Sequence, residues 1–512
     1  MKIALVNPPP RSELEKHWAD VPVLGLAYVA AALRQKGHHV VVLDGKLGAL
    51  SIAQIRERVR AEEPHWVGIT SMTVDFPTVM VIAKGLRQDG IEVPIVVGGP
   101  HINAVASQAL EECAELDFAC VGEGEHLTCE LSDAILRRDG FGAIAGLSWR
   151  RGSTVEQNPA REYHDDYDKL PFPAWDLFAA TDHIPLLTHR GCPFECNFCG
   201  HNSGFKPRYR SPENVLTEIE EIVDRFAPRL IRFEDETFGL NLPRTIQILR
   251  GILERGLHRR VLFSAQTRVD RMDAELVRLL RLCNFETLEL GVESGNDGVL
   301  ARMGKGIKRV QVENAVRLAK QEGLIVECKF ILGHPHETFA EILDTARFIA
   351  KLNPDRLSVS IMTPYPGTPI FDMAVRGEGG YRLLSRDWSS FDKYASGAVE
   401  LEGVSLSMLK ACQIACYLGL YLGNGRVTDL FRLLRAHRGV VAGMAMGLLT
   451  ALLRKGPTSV PQQGVTRAQP PLPLSDVAMP DSTLIQLRRR GNRSAPTAVH
   501  ELRTWAAPGR AH

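Results

Sequence analysis

Twice along this 512-residue chain, short and nearly unbroken apolar runs alternate with amphipathic stretches, and that rhythm restricts the fold more than any other feature. The first set of runs is Ile3–Val6, Val40–Leu43, Trp66–Thr70, Pro94–Val97 and Phe118–Val121. Helical patterns lie between them at Leu24–Arg34, Ile52–Ala61, Val79–Arg87 and Ala104–Glu111. A strand that is apolar at consecutive positions is buried on both faces, which means a parallel sheet covered by helices. Glycines and polar residues collect where the runs end, at Asp44-Gly45, Gly98-Gly99 and Gly122-Glu123-Gly124-Glu125. Open α/β sheets bind ligands at those ends. Residues 1–150 are therefore predicted to form a Rossmann-like binding domain. No GxGxxG follows the first run, which argues against ordinary dinucleotide binding.

Residues 151–183 read as a linker, broken by Pro159, Pro171 and Pro173 and acidic at His164-Asp165-Asp166-Tyr167-Asp168. The alternation resumes at Ile184, with strands expected at Ile184–Thr188, Leu230–Phe233, Val261–Ala265, Thr287–Leu290, Ile325–Leu332 and Arg356–Ile361. Six such units over residues 184–380 predict a partial (β/α)6 TIM-type barrel with its chemistry at the C-terminal face. Residues 381–455 are expected to be helical, and residues 456–512, rich in Pro, Ser and Arg, a disordered tail. The chain as a whole is α/β. No apolar run has the length of a spanning helix. Gly439–Leu453, between Arg438 and Arg454, reads as a buried or interfacial helix and a peripheral membrane contact. The first ten residues hold too few apolar positions for an export leader, so the expected location is cytoplasmic. A net charge of +1 gives no bulk electrostatic case for nucleic acid.

The ten cysteines are then expected to be reduced, and a cluster of them suggests a metal. Cys192, Cys196 and Cys199 follow the first barrel strand with the spacing CxxxCxxC, while the other seven are scattered in apolar or helical contexts. Iron–sulfur clusters are held by thiolates and usually take four. Three close cysteines leave one iron open to a non-protein ligand. Two alternatives share the spacing: a zinc site completed by His189 or His201, and a redox pair of Cys196 and Cys199.

The triad and its surroundings resemble the radical S-adenosylmethionine superfamily, with Phe198 as the aromatic before the last cysteine. Phe233-Glu234-Asp235-Glu236-Thr237-Phe238 resembles the acidic end of the family's second strand. The resemblance implies that Asp235 and Glu236 help hold the methionine amino group. Thr267-Arg268-Val269-Asp270 lies where relatives place polar and arginine contacts to the cofactor. Gly291-Val292-Glu293-Ser294-Gly295 matches GxES, which implies a ribose contact for Glu293. Phe330 to Thr338 resembles FxxGxPxET, placing Gly333 near adenine, but with His334 and His336 where relatives more often read Gly-Leu-Pro-Gly-Glu. Thr363 to Pro369 matches a further signature of the family. The implied chemistry is a [4Fe–4S] cluster, S-adenosylmethionine and a 5′-deoxyadenosyl radical. An external flavodoxin- or ferredoxin-type electron donor is implied as well.

A Rossmann-like domain before such a barrel resembles the cobalamin-binding class, which includes anaerobic porphyrin-ring cyclases and hopanoid methylases. The matching segments are Asn7-Pro8-Pro9, Gly68-Ile69-Thr70-Ser71, Val97-Gly98-Gly99-Pro100-His101 and Val121-Gly122-Glu123-Gly124-Glu125. They imply a cobalamin site around Asn7, Ser71, Gly98, Gly99 and Glu123. The DxHxxG motif, whose His ligates cobalt, is missing. Asp44-Gly45-Lys46-Leu47-Gly48 stands at the comparable strand end, and His101 fits a structural turn better than a ligand. The expected function is cobalamin-dependent methylation of an unactivated carbon in a small-molecule or lipid-like substrate. Cobalamin-assisted cyclisation or rearrangement is the neighbouring reading, and a non-catalytic electron-transfer protein a more distant one.

Overall fold

The computed structural model describes residues 1–11, 20–393 and 397–436. The 439–453 stretch and the 456–512 tail singled out above lie outside these residues.

The N-terminal domain runs β1 (Lys2–Asn7), α1 (Leu24–Gln35), β2 (His39–Asp44), α2 (Ile52–Glu62), β3 (Trp66–Thr70), α3 (Phe76–Gln88), β4 (Ile95–Gly98), α4 (Pro100–Glu112), β5 (Phe118–Cys120) and α5 (Gly124–Arg137). Strand order is β2-β1-β3-β4-β5, all parallel, so the order reverses between β1 and β3 as in doubly wound sheets. The apolar runs are buried on both faces, with Ile3, Leu5, Trp66, Val67, Ile95 and Val97 inside. One boundary differs from expectation. β6 (Leu147–Arg151) and β7 (Thr154–Gln157) form an antiparallel hairpin on the β5 edge, so the domain extends past residue 150 and the linker starts near residue 158.

The barrel uses β8 (His183–Leu186), β9 (His189–Arg190), β10 (Arg208–Tyr209), α6 (Pro212–Phe226), β11 (Leu230–Phe233), α7 (Leu242–Glu254), β12 (Leu262–Thr267), α8 (Ala274–Leu282), β13 (Phe285–Glu293), α9 (Asp297–Arg302), α10 (Arg309–Gln321), β14 (Ile325–Leu332), α11 (Phe339–Leu352), β15 (Arg356–Ile361) and α12 (Pro369–Arg376). β8, β11, β12, β13, β14 and β15 lie side by side in that order, all parallel, as a six-stranded incomplete barrel. Ile231, Phe233, Phe263, Ala265, Leu288, Leu290, Val326 and Cys328 fill the core beneath the helices. The alternating positions carry ions: Arg232 and Lys329 both pair with Glu289, and Lys329 donates to Gln266 at 2.7 Å.

The C-terminal part is not wholly helical as expected. A small antiparallel pair, β16 (Tyr381–Leu383) and β17 (Val399–Leu401), precedes α13 (Leu406–Gly423) and α14 (Val427–Ala436). Among the described residues α13 is the one helix long and apolar enough to cross a membrane, a feature the sequence reading did not anticipate. It packs on the barrel instead, burying Leu409, Cys412, Gln413, Cys416, Leu420 and Tyr421. The free edge of β15 ends there: the Tyr417 hydroxyl accepts from Val359 N at 3.2 Å, and Gln413 Nε2 donates to Val359 O at 2.7 Å.

The two domains are one packed body. Trp388 Nε1 donates to Glu112 of α4 at 2.9 Å and stands edge-on to His101 at 4.9 Å. Gly367, in the Thr363–Pro369 signature, has φ +79°, and a Cβ there would lie 3.0 Å from that of Ala104, so the signature's glycine serves the domain contact.

Candidate active site

The three cysteines lie on the long loop between β9 and β10, at the C-terminal end of β8. Gly191 enters the loop at φ +91°, where a Cβ would meet Lys206 O at 2.5 Å. The loop closes through Cys192 N to Gly204 O at 3.1 Å and Cys199 N to Cys196 O at 3.1 Å. Its inner side is held by the turn after α9: Asn197 N donates to Met303 O at 3.1 Å and Asn197 Nδ2 to Arg302 O at 2.9 Å. Gly304 lets that turn approach, since a Cβ there would stand 2.9 Å from Glu195 O.

Burial pushes the Cys196 thiol up, while Lys305 and Arg268 pull it down. Burial and the nearby Cys192 also raise Cys199, and Lys305 opposes them. Three neighbouring thiols beside two buried cations suit an anionic thiolate cluster. No three His, Cys, Asp or Glu side chains among the described residues converge at single-ion distance. His189 gives Nδ1 to Asp235 at 3.2 Å, and His201 stacks on Phe205 at 4.2 Å. Phe198 is half-buried against the barrel core.

The two acids after β11 have separate jobs. Asp235 is buried, and its carboxylate accepts from Thr188 N and Oγ1, both at 2.6 Å, and from His189 N at 3.2 Å. Burial raises the Asp235 carboxyl, but His189 and the hydrogen bonds outweigh it, and the net shift is downward. Burial lowers His189, yet Asp235 brings it above its usual range. Asp235 therefore braces the strand that leads into the cysteine loop. Glu236 is exposed and makes one long contact, from Gly191 N at 3.4 Å, which leaves its carboxylate available over the loop.

At the end of β13 a register shift puts Glu293 at φ +71°. Its Oε1 accepts from Lys305 Nζ at 2.6 Å, both groups buried, while among the described residues no hydrogen bond reaches Oε2. Lys305 is the site residue that sequence reasoning missed. Its flanking glycines, in Met303-Gly304-Lys305-Gly306, were the available signal. Arg268 is spent within the protein. It pairs with Asp270 at 3.0 Å, donates to Lys305 O at 2.6 Å and lies 3.6 Å over the Phe194 ring. These contacts fix it against the cysteine loop.

Gly333 has φ +91°, and its N–H donates to Glu337 Oε2 at 2.6 Å. A Cβ there would touch Leu409 of α13 at 3.2 Å, so this glycine serves helix packing. Burial raises the Glu337 carboxyl to about 7 despite bonds from the Gly333 and His334 amides. His334 is buried, its imidazole pulled down to about 4 by burial, with Nε2 3.3 Å from Asn197 Oδ1 between the cysteines. His336 is exposed at φ +60°, in the left-handed region that favours glycine.

In the N-terminal domain, Asn7 Nδ2 donates to Asp44 Oδ1 at 2.7 Å, and that oxygen also accepts from Lys46 N and Leu47 N, both at 3.0 Å. Ser71 is fully buried and gives its hydroxyl to Met72 O at 3.0 Å. Gly99 is needed by the fold itself: φ is +100°, and a Cβ would stand 2.9 Å from both Ser71 N and Ser71 O. Gly98 is different, since a Cβ there meets nothing nearer than Cys120 at 3.8 Å. Glu123 is engaged by the other domain. It accepts from Arg208 at 3.1 Å, from the Tyr167 hydroxyl and from His164 N at 3.2 Å, and it pairs with Arg190 at 3.3 Å. His101 is buried between Phe76 and Trp388 with neither ring nitrogen bonded, and burial lowers it to about 4. It packs in the first turn of α4 rather than in the loop turn expected. A cavity of about 740 Å³ opens beside the ends of β1 and β2, lined by Pro9, Pro10, Gly45, Lys46, Thr181 and His183 among others.

Residues 16–132 match the B12 binding domain family, and residues 186–349 match the radical SAM superfamily. An uncharacterized methyltransferase of Pyrococcus horikoshii is 32% identical over 464 residues, 88% of this chain and 98% of that protein. The anaerobic magnesium-protoporphyrin IX monomethyl ester cyclase of Cereibacter sphaeroides is 28% identical over 72% of this chain and 63% of its own length. Among solved structures, the radical S-adenosylmethionine methyltransferase TsrM from Kitasatospora setae, with cobalamin and a [4Fe–4S] cluster bound, superposes with a TM-score of 0.67. It is 17% identical and covers 82% of this chain and 88% of its own.

Proposed function

The chain belongs to the radical SAM superfamily, in the group whose barrel follows a B12-binding domain, and from that membership we propose that it is a cobalamin-dependent methyltransferase acting on an unactivated carbon. The observation that carries the reading is the cysteine loop, on which Cys196 is buried, Cys192 half-buried and Cys199 exposed, with Lys305 and Arg268 acting on the Cys196 thiol. A [4Fe–4S] cluster on those thiolates would pass an electron to S-adenosylmethionine and release a 5′-deoxyadenosyl radical, and cobalamin would supply the methyl group. Glu236, with its carboxylate exposed beside the loop, is placed to accept from the methionine ammonium. Glu293 keeps Oε2 for a ribose hydroxyl while Lys305 holds its other oxygen and the side chain's direction. Asp235 and Arg268 act one step back, fixing the strand and the loop. At the N-terminal sheet, a Cβ on Gly98 would make only ordinary contact with Cys120 at 3.8 Å, and the bare backbone at the end of β4 is where a corrin can approach.

The test is anaerobic reconstitution with iron and sulfide, hydroxocobalamin and methyl-labelled S-adenosylmethionine under a low-potential reductant. The expected products are 5′-deoxyadenosine and labelled methylcobalamin. Replacing Cys192, Cys196 and Cys199 together by Ala should abolish the first, and a triple variant that still forms it would overturn the reading. The similarity to cyclases supports a second outcome at the same site, cobalamin-assisted ring formation. We take the electron donor to be a flavodoxin or ferredoxin and the compartment to be the cytoplasm. Membrane contact through 439–453 gains support from the neighbouring α13 and α14, where Leu422, Val427 and Phe431 are 51%, 59% and 66% exposed.

A further inference from the structure

The stem of the cysteine loop contains a charge conflict that carboxylates of the other domain relieve. β9 and β10 are two residues each, and Arg190 stands directly opposite Arg208 across the ladder. Like charges at directly opposed positions destabilise an antiparallel pair. Both guanidiniums reach instead to the turn between β5 and α5. Arg190 meets Glu125 at 2.6 Å and Glu123 at 3.3 Å. Arg208 meets both oxygens of Glu123 at 3.1 Å. The aromatic rings of Tyr28 and Tyr167 each lie 4.9 Å from the Arg190 guanidinium, and Tyr163 lies 4.3 Å from that of Arg208. Arg208 also donates to Ser203 O at 2.6 Å, next to the Gly204 carbonyl that accepts from Cys192 N. Arg190 is two residues before Cys192. The carboxylates of one domain therefore neutralise the two arginines that close the cysteine loop of the other.

We propose that Glu123 and Glu125 are positioning residues for the cysteine loop: docking of the N-terminal domain closes the β9–β10 stem and fixes the thiols relative to that domain's strand ends. The geometry of the radical source and that of the methyl donor are then linked by this polar junction. The spectroscopic part of this inference rests on the proposed function, whereas the stem closure does not. Among the described residues the carboxylates of the junction are the anions that meet both arginines of the ladder, so its loss should be felt locally. The barrel core beneath, closed by Phe233, Phe263 and Phe285, has no share in it.

Hydrogen exchange followed by mass spectrometry on the full-length chain tests the closure. In Glu123→Gln/Glu125→Gln, peptides covering 189–210 should exchange on the order of tenfold faster, because charge-assisted bonds are lost at a local opening. Peptides from β1, β3, β13 and β14 should keep their protection. Unchanged exchange over 189–210, or an equal rise throughout the chain, would overturn the proposal, the latter because it marks a merely structural pair. If the double variant does not fold, Glu123→Gln alone retains the Glu125–Arg190 pair. It should then loosen 203–209 more than 189–192, and equal loosening or none at all refutes the closure. The electron paramagnetic resonance spectrum of the reduced, reconstituted cluster is the second readout. Altered line shape in the double variant at full iron content supports thiol positioning, and an identical spectrum overturns that part. Absence of any cluster in the wild-type chain refutes the proposed function without touching the exchange result.

Discussion

Replacing Asp235 by Asn separates bracing from cofactor binding. The carboxylate is 3% exposed and satisfies two donors of Thr188 and two of His189. An amide keeps one acceptor oxygen and turns an NH2 toward donors that it cannot accept from. Removing one partner of a buried charged pair costs roughly 3–5 kcal/mol. At about 2–4 °C per kcal/mol, Tm should fall by roughly 6–20 °C. The shift should depend on pH. The lowered carboxyl of Asp235 adds stability above its unfolded pKa and loses it as pH falls through the folded value. The raised His189 adds stability below about 6.5 and loses it as pH rises through its folded value. The difference between wild type and variant should therefore be largest near pH 5–6 and shrink on either side. Thermal unfolding by circular dichroism at several pH values checks this, with equilibrium dialysis of S-adenosylmethionine beside it. Glu236→Gln should do the reverse, weakening cofactor binding with little change in Tm. An Asp235→Asn protein of unchanged Tm but weakened S-adenosylmethionine binding would refute the division of labour between these acids.

Gly99→Ala should cost about 1–3 kcal/mol in urea titrations through its left-handed backbone and contact with Ser71. Gly98→Val should unfold at the wild-type midpoint yet bind hydroxocobalamin less well, and undiminished binding would remove β4's end from the site. His336→Gly should raise Tm by a degree or two, because a β-carbon at φ +60° costs roughly 1 kcal/mol. Phe431→Asp should reduce co-sedimentation with phosphatidylglycerol vesicles, and equal sedimentation of wild type and variant would exclude α14 from any membrane contact.

Why some of this architecture could be read in advance and some not follows from the range of the signals. Buried parallel strands such as Val40–Leu43 and Thr287–Leu290 are continuous apolar runs and identify themselves locally. The β6–β7 hairpin does not, because Thr154–Gln157 is an edge strand with half-exposed residues and reads as linker. The cysteine triad is a local spacing and was legible. Asp235 and Glu236 are adjacent, and neighbouring side chains leaving a strand point to opposite sides, so composition alone could not say which one is buried. Lys305 was missed because its partner Glu293 lies twelve residues back, across α9. Glu123 carried a real motif, but a motif records that a residue matters, and only the distance to Arg190 and Arg208 says for what.

The capped edge of β15 bears on how such chains tolerate change. A barrel that stops at six strands leaves a row of backbone donors and acceptors at each side, and such rows recruit strands from other molecules. On β15 the Val359 amide and carbonyl are taken by Tyr417 and Gln413, side chains of a helix that cannot itself propagate a sheet. α13 thus works as a stopper against cross-molecule strand pairing. Shortening the chain before residue 406 would expose a sticky template while leaving the cysteine loop intact, and the fragment's fate would be decided by fibril-like assembly rather than by loss of chemistry.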